Sequence, residues 1–180
     1  MAIVINLFGA PGAGKSTLAA DIFSKLKQCQ VKCELITEFA KDCVYEGNVC
    51  ALMCQEYVFG NQSYRMFRCA DKVDVIITDS PLPLSILYKS SRYLDESFDE
   101  LIWKTYNSYT NINYMVTSNH EYQTVGRIHS KEESELKYIT LKELLKRNNV
   151  SYKYVTPEDS SSIIQDVAYI LSINGGAKNE

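Results

Sequence analysis

Short apolar runs alternate along the chain with longer stretches whose apolar positions recur every three to four residues. Residues 2–8 (AIVINLF) predict a buried strand. Residues 15–28 predict an amphipathic helix, with Leu18, Ala19, Ile22, Phe23 and Leu26 on one face. Residues 31–37 (VKCELIT) read as a second strand, and 38 to about 45 as a helix. A longer helix is predicted over 55–70, with Tyr57, Val58, Tyr64 and Phe67 among its apolar positions. Residues 73–78 (VDVIIT) predict a third strand, apolar enough to be covered on both faces. Pro81 and Pro83 mark a turn, and helical stretches follow near 84–90 and 97–109. A fourth strand is predicted over 112–117 (INYMVT) and a polar loop over 118–131. A helix over 132–148 carries Leu136, Ile139, Leu141, Leu144 and Leu145. A fifth strand over 152–155 and a closing helix over 160–173 complete the pattern, and 174–180 read as a frayed tail.

Strands alternating with helices predict an α/β fold, a parallel sheet with helices on both faces and right-handed crossovers. No repeat, low-complexity block or long linker divides the chain. Residues 1–173 therefore read as one domain, with a lid at about 118–131.

Composition narrows the class. The 180 residues are 46% hydrophobic, enough for a real core, and the net charge of -3 gives no global basic field to draw in duplex DNA or an anionic membrane. No apolar run approaches the roughly 20 residues that span a bilayer. The N-terminus lacks the charged region and cleavage site of a signal peptide and reads directly as a strand. The expectation is a soluble cytoplasmic protein with no membrane partner. The six cysteines form no C-x-x-C pair, and neither His120 nor His129 lies near them. Reduced thiols acting as small hydrophobes are expected rather than a zinc site.

Chemistry concentrates at a few places. Gly9-x-x-x-x-Gly14-Lys15-Ser16 stands between the first strand and first helix, where a phosphate-binding loop belongs. Its glycines let backbone N–H groups approach phosphate oxygens, and the helix start adds its positive dipole end. Residues Gly9, Ala10, Gly12, Ala13, Gly14, Lys15, Ser16 and Thr17 are thus the expected nucleotide cradle. The Lys15 ammonium would reach the β and γ phosphates, and the Ser16 hydroxyl would ligate Mg²⁺. Asp79 ends the third strand (VIITDSPLPL) and is the expected second Mg²⁺ contact, or alternatively a helix N-cap. Glu38 ends the second strand (LITEFAKD). There it can take a proton from a substrate hydroxyl, or merely stabilise a helix dipole. Arg127, beside Gly126 in the polar loop, is expected to stabilise charge on a phosphoryl group in flight, or alternatively is an exposed arginine paired with Glu132 or Glu133. Arg65, Arg68 and Arg92 are candidates for an anionic substrate, or plain surface residues.

The segments GAPGAGKST, ITEFAKD, ITDSPL and YQTVGRIHSKEESELKYITLKELLK together resemble a P-loop kinase of the nucleoside and nucleotide kinase superfamily. More narrowly the set is similar to the AAA_28-like group of small P-loop kinases and ATPases. That group includes the ribosylnicotinamide kinase domain and phage enzymes, some acting on hydroxymethylated pyrimidines in DNA. The resemblance implies a three-layer sandwich on a five-stranded parallel sheet of order 2-3-1-4-5. It also implies transfer of the γ-phosphoryl of ATP to a hydroxyl, with Lys15 on the phosphates, Ser16 and Asp79 on Mg²⁺, and Arg127 closing over the transferring group. The base is Glu38 or Asp79. Ser80 stands where related kinases often carry an arginine.

The implied acceptor is a nucleoside, nucleotide or related small molecule. A hydroxyl on DNA or RNA is the alternative, served by the interleaved basic and aromatic residues of 61–72 and 88–93. A third reading is a nucleotide-gated switch with slow hydrolysis and no acceptor; Glu38 and Arg127 favour a kinase over it. A homodimer stays open.

Overall fold

β1 (Ile3–Phe8) is buried along its whole length, which requires cover on both faces and a central place in a sheet. It pairs in parallel with β3 (Val75–Thr78) on one side and β4 (Thr110–Val116) on the other. β2 (Cys33–Ile36) lies beyond β3, and β5 (Lys153–Val155) beyond β4. The sheet is parallel throughout, in the order 2-3-1-4-5. The structure is a computed structural model and describes residues 2–90, 96–117 and 131–176.

Alternation along β1 splits the core in two. Ile5 and Leu7 face α1 (Lys15–Gln28) and α8 (Ser160–Gly176), among Leu18, Ile22, Leu26, Ile163 and Val167. Val4 faces the other way, toward Phe59 and Met66 of α4 (Gln55–Phe67) and Phe98 and Ile102 of α6 (Glu96–Asn107). Phe8 on that side meets Leu141 and Leu145 of α7 (Lys131–Arg147). The short helices α2 (Phe39–Tyr45), α3 (Val49–Met53) and α5 (Leu84–Tyr88) ring the carboxyl end of the sheet.

Asn6 is the polar exception in β1. Its buried Nδ2 donates to Oδ1 of Asn111 at 2.8 Å and of Asn113 at 3.1 Å. The Tyr106 hydroxyl donates to Asn113, so the amides tie the end of α6 to the sheet. The partnership explains why β4 begins at Thr110, before the apolar run that marks it in the sequence.

Other departures from the sequence pattern have local causes. β2 starts at Cys33, because the Val31 N–H is spent on the Leu26 carbonyl in the C-terminal cap of α1. In that cap Gln30 takes a left-handed φ of 60°, the Schellman arrangement. Of the apolar positions named for the helix over 55–67, only Val58 is buried. Tyr57, Tyr64 and Phe67 are exposed, whereas Gln55, Val58, Phe59, Gln62 and Met66 are buried. In α7, Leu141 and Leu145 are buried but Leu136 and Ile139 are exposed. α3 is absent from the pattern, being a single short turn started by the Asn48 side chain accepting from the Ala51 N–H. All six cysteines are free thiols; Cys33, Cys43 and Cys69 are buried as expected of small hydrophobes, while Cys29, Cys50 and Cys54 are exposed. Among the described residues no helix is long and apolar enough to cross a membrane.

The cap of α1 gives a direct test. A side chain in the left-handed region is strained and glycine is not, so Gln30→Gly is expected to stabilise the fold by about 0.5–1 kcal/mol in denaturant unfolding. A loss of stability would show that the Gln30 side chain contributes more than its backbone strain costs.

Candidate active site

In a sheet of this order the loops that leave β1, β2 and β3 open on one crevice. The loop after β1 is built on glycine where nothing else fits. A Cβ on Gly9 would lie 2.6 Å from the Val116 carbonyl oxygen, and one on Gly14 would lie 2.6 Å from Cγ of Pro157. Gly14 also takes a left-handed φ of 88° as N-cap of α1, and no side chain caps that helix end. No acidic residue stands in its first turn. The end of a long helix is thus left with its N–H donors and positive dipole end turned to the loop, an arrangement suited to anions.

Lys15 Nζ folds back over this loop and donates to the carbonyls of Gly9, at 3.0 Å, and Ala10, at 2.9 Å. Ser16 Oγ donates to Asp79 Oδ2 at 2.6 Å, joining the start of α1 to the end of β3. Asp79 is buried, and its other oxygen, Oδ1, has no hydrogen-bond partner. A buried carboxylate oxygen without a partner costs roughly 1–3 kcal/mol, so the site is incomplete without a cation or donor. Among the described residues no three His, Cys, Asp or Glu side chains gather around a metal. One carboxylate, one hydroxyl and the oxygens of a phosphate suit Mg²⁺, which keeps several waters and uses few protein ligands. The N-cap alternative for Asp79 fails, since the next helix, α5, starts at Leu84 with Pro83 in the cap position.

Glu38 occupies the N-cap position of α2, but its side chain makes no capping hydrogen bond there. It points into the crevice, where burial pushes its carboxyl above the ordinary glutamate range; the Asp79 charge adds to the rise and the Lys15 charge opposes it. Tyr88, at the end of α5, stands close enough to Glu38 to feel its charge, and burial together with that charge pushes the phenol up to about 12. The Tyr88 ring carries the Lys137 ammonium of α7 at 4.0 Å from its centre.

These groups line one cavity of about 490 Å³, within the size range of small-molecule sites. Of the cradle residues expected from sequence, Gly9, Ala10, Gly12, Gly14, Lys15, Ser16 and Thr17 line it, together with Glu38 and Asp79. Ala13 does not. Its side chain joins the core and its N–H donates to the Ala10 carbonyl. Arg127, the loop 118–130, Arg92 and both histidines lie outside the described residues. Arg65 is spent elsewhere, on the Asp42 carboxylate at 2.5 Å and over the Phe39 ring. Arg68 donates to the Arg65 carbonyl. Lys41, Gln55, Tyr88 and Lys137 also line the cavity; Tyr88 opens the basic and aromatic segment 88–93, and the sequence alone assigns the other three no role. Lys137, Tyr138 and Leu141 share one face of α7 by helical spacing, but only the packing of Leu141 shows that this face looks into the crevice.

The model of the AAA_28 family, described as an AAA domain, matches residues 4–161. The chain belongs to that family. No curated protein matches it. Among solved structures, a thymidylate kinase from Ehrlichia chaffeensis superposes with a TM-score of 0.59 at 14% identity, covering 95% of this chain and 98% of that one. At that identity the likeness shows the fold alone, a parallel α/β sheet of order 2-3-1-4-5.

The environment of Glu38 has a measurable consequence. At low pH the carboxyl is neutral in both folded and unfolded chains. As pH rises past the ordinary glutamate value, only the folded state is charged an added cost for ionisation. Glu38→Gln is therefore expected to match the parent protein's thermal stability near about pH 4 and to exceed it increasingly toward neutrality. A stability gap independent of pH would contradict the burial argument.

Proposed function

We propose that the protein is an ATP-dependent kinase that transfers a phosphoryl group to the hydroxyl of a nucleoside, nucleotide or related small molecule. The observation that carries this reading is the crevice-facing Glu38 carboxyl, raised by burial beside Asp79, at the open side of the glycine loop. A phosphate acceptor is already ionised at neutral pH and needs no base. An alcohol does need one, and a carboxylate with its pKa moved toward neutrality is suited to the work.

In this reading the loop from Gly9 to Gly14 and the first turn of α1 hold the triphosphate through backbone N–H groups. Lys15 leaves the loop carbonyls it now bonds and turns to the phosphate oxygens. Ser16 and Asp79 would hold Mg²⁺, which when bound draws off charge from the phosphate oxygens. Glu38 takes the proton of the acceptor hydroxyl as its oxygen bonds to the γ-phosphorus. The bond from that phosphorus to the β–γ bridging oxygen breaks, and ADP leaves with the electron pair. Arg127 is proposed to add positive charge over the transferring group. Residues 1–173 form the kinase domain in this reading, with the segment around 118–131 as its lid.

Three substitutions test the roles separately. Lys15→Ala is expected to abolish ATP turnover. Glu38→Gln is expected to lower acceptor-dependent turnover by about 10²–10⁴-fold while ATP affinity stays near that of the parent, and normal rates would return Glu38 to a helix-dipole role. For the metal, calorimetric titration with ADP should show binding strengthened by Mg²⁺, and Asp79→Ala should erase that dependence. Equal Mg²⁺ dependence in both proteins would remove Asp79 from the metal site.

A further inference from the structure

The crevice is lined by chemically different groups. Lys15, Ser16, Asp79 and Glu38 line it. α2, α3 and α4 add Val44, Leu52 and Val58, and α7 adds Lys137. Lys137 is half-buried and lines the cavity from a helix that is not part of the phosphate loop. Among the described residues its ammonium makes no hydrogen bond and no ion pair; it rests on the Tyr88 ring at 4.0 Å, with the Glu133 charge as its nearest named electrostatic support. Burial lowers its pKa, and the Glu133 charge opposes that shift.

The neighbours define what Lys137 can do. Lys137 and Tyr88 line the same cavity as Lys15, Ser16, Glu38 and Asp79, and the packing of α5 against α7 brings the two together there. The ammonium is thus held in the cavity by an aromatic ring outside the glycine loop, available to a second anionic group. Its ring platform fixes where the ammonium sits without consuming its three N–H donors.

We propose that Lys137, held on Tyr88, is a specificity-determining residue that binds an anionic phosphate carried by the acceptor at a position separate from its reacting hydroxyl. The acceptor is then a phosphate ester bearing a free hydroxyl, rather than an uncharged nucleoside. This inference rests on the kinase reading above and narrows its substrate class. A mononucleotide and a nucleic-acid strand both present that chemistry.

The test is acceptor binding to the full chain loaded with Mg²⁺ and a non-hydrolysable ATP analogue. The probes are the four deoxynucleosides, their 3′- and 5′-monophosphates, and a short single-stranded oligonucleotide of mixed sequence. At least one phosphate-bearing probe is expected to bind tenfold or more tightly than its parent nucleoside. Lys137→Met should erase that advantage, leave nucleoside binding unchanged, and leave affinity for the ATP analogue unchanged; Lys137→Arg should restore most of the advantage. Tyr88→Leu should reduce it and Tyr88→Phe should keep it. Preference for the monophosphates identifies a mononucleotide acceptor, and preference for the oligonucleotide identifies a strand. The proposal is overturned if no phosphate-bearing probe outbinds its nucleoside, if Lys137→Met weakens nucleoside and nucleotide alike, or if it weakens the ATP analogue instead. Failure of the ATP analogue to bind the parent protein would overturn the kinase reading itself, a separate outcome.

Discussion

The hydrogen bond from Ser16 to Asp79 is the contact on which the rest of the site turns. It exists because β1 and β3 are adjacent and parallel, so the helix that starts after one strand meets the residue that ends the other. Burial of β1 on both faces enforces that adjacency. The two halves of the core, above and below the sheet, therefore fix a distance of 2.6 Å at the edge of the crevice. The same contact leaves Asp79 Oδ1 buried without a partner, a cost that a bound cation would remove.

Glu38 extends that arrangement by one strand. β2 pairs with β3, and the residue two beyond Ile36 turns into the same crevice, close enough to Asp79 for the two carboxylates to repel. Lys15 more than offsets that repulsion, and it is burial that holds the Glu38 carboxyl above its ordinary range. A nucleotide loaded with its cation would change the charge that Glu38 sees, coupling proton affinity at the acceptor to occupancy at the loop. The crevice thus reads as one electrostatic unit built from three strand ends.

Much of this was legible in the sequence, and the limits have physical causes. The glycine loop could be read because φ values open only to glycine and close approaches to Val116 and Pro157 leave few other residues possible. Strands β1 and β3 could be read because central parallel strands are apolar without alternation. The buried face of α4 could not, because Tyr57, Tyr64 and Phe67 are as apolar as Phe59 and Met66, and burial was decided by the sheet beneath. Gln55 and Gln62 go inward because their polar atoms find partners, the Leu52 carbonyl for one and the Phe39 N–H for the other. The pairing of Lys137 with Tyr88 is not legible in the sequence because it is relational: the two lie far apart in the chain and meet only when α5 and α7 pack together.

The most direct measurement is the rate of ADP release from Mg·ATP with and without a panel of acceptors. The panel holds nucleosides, nucleoside monophosphates, ribosylnicotinamide, 5′-hydroxyl oligonucleotides and DNA containing hydroxymethyl-pyrimidine. A kinase built on Glu38 and the glycine loop predicts slow release alone and strong stimulation by at least one hydroxyl-bearing member. Release that no acceptor changes, from a protein that binds Mg·ATP, would contradict the kinase and leave a nucleotide-gated switch.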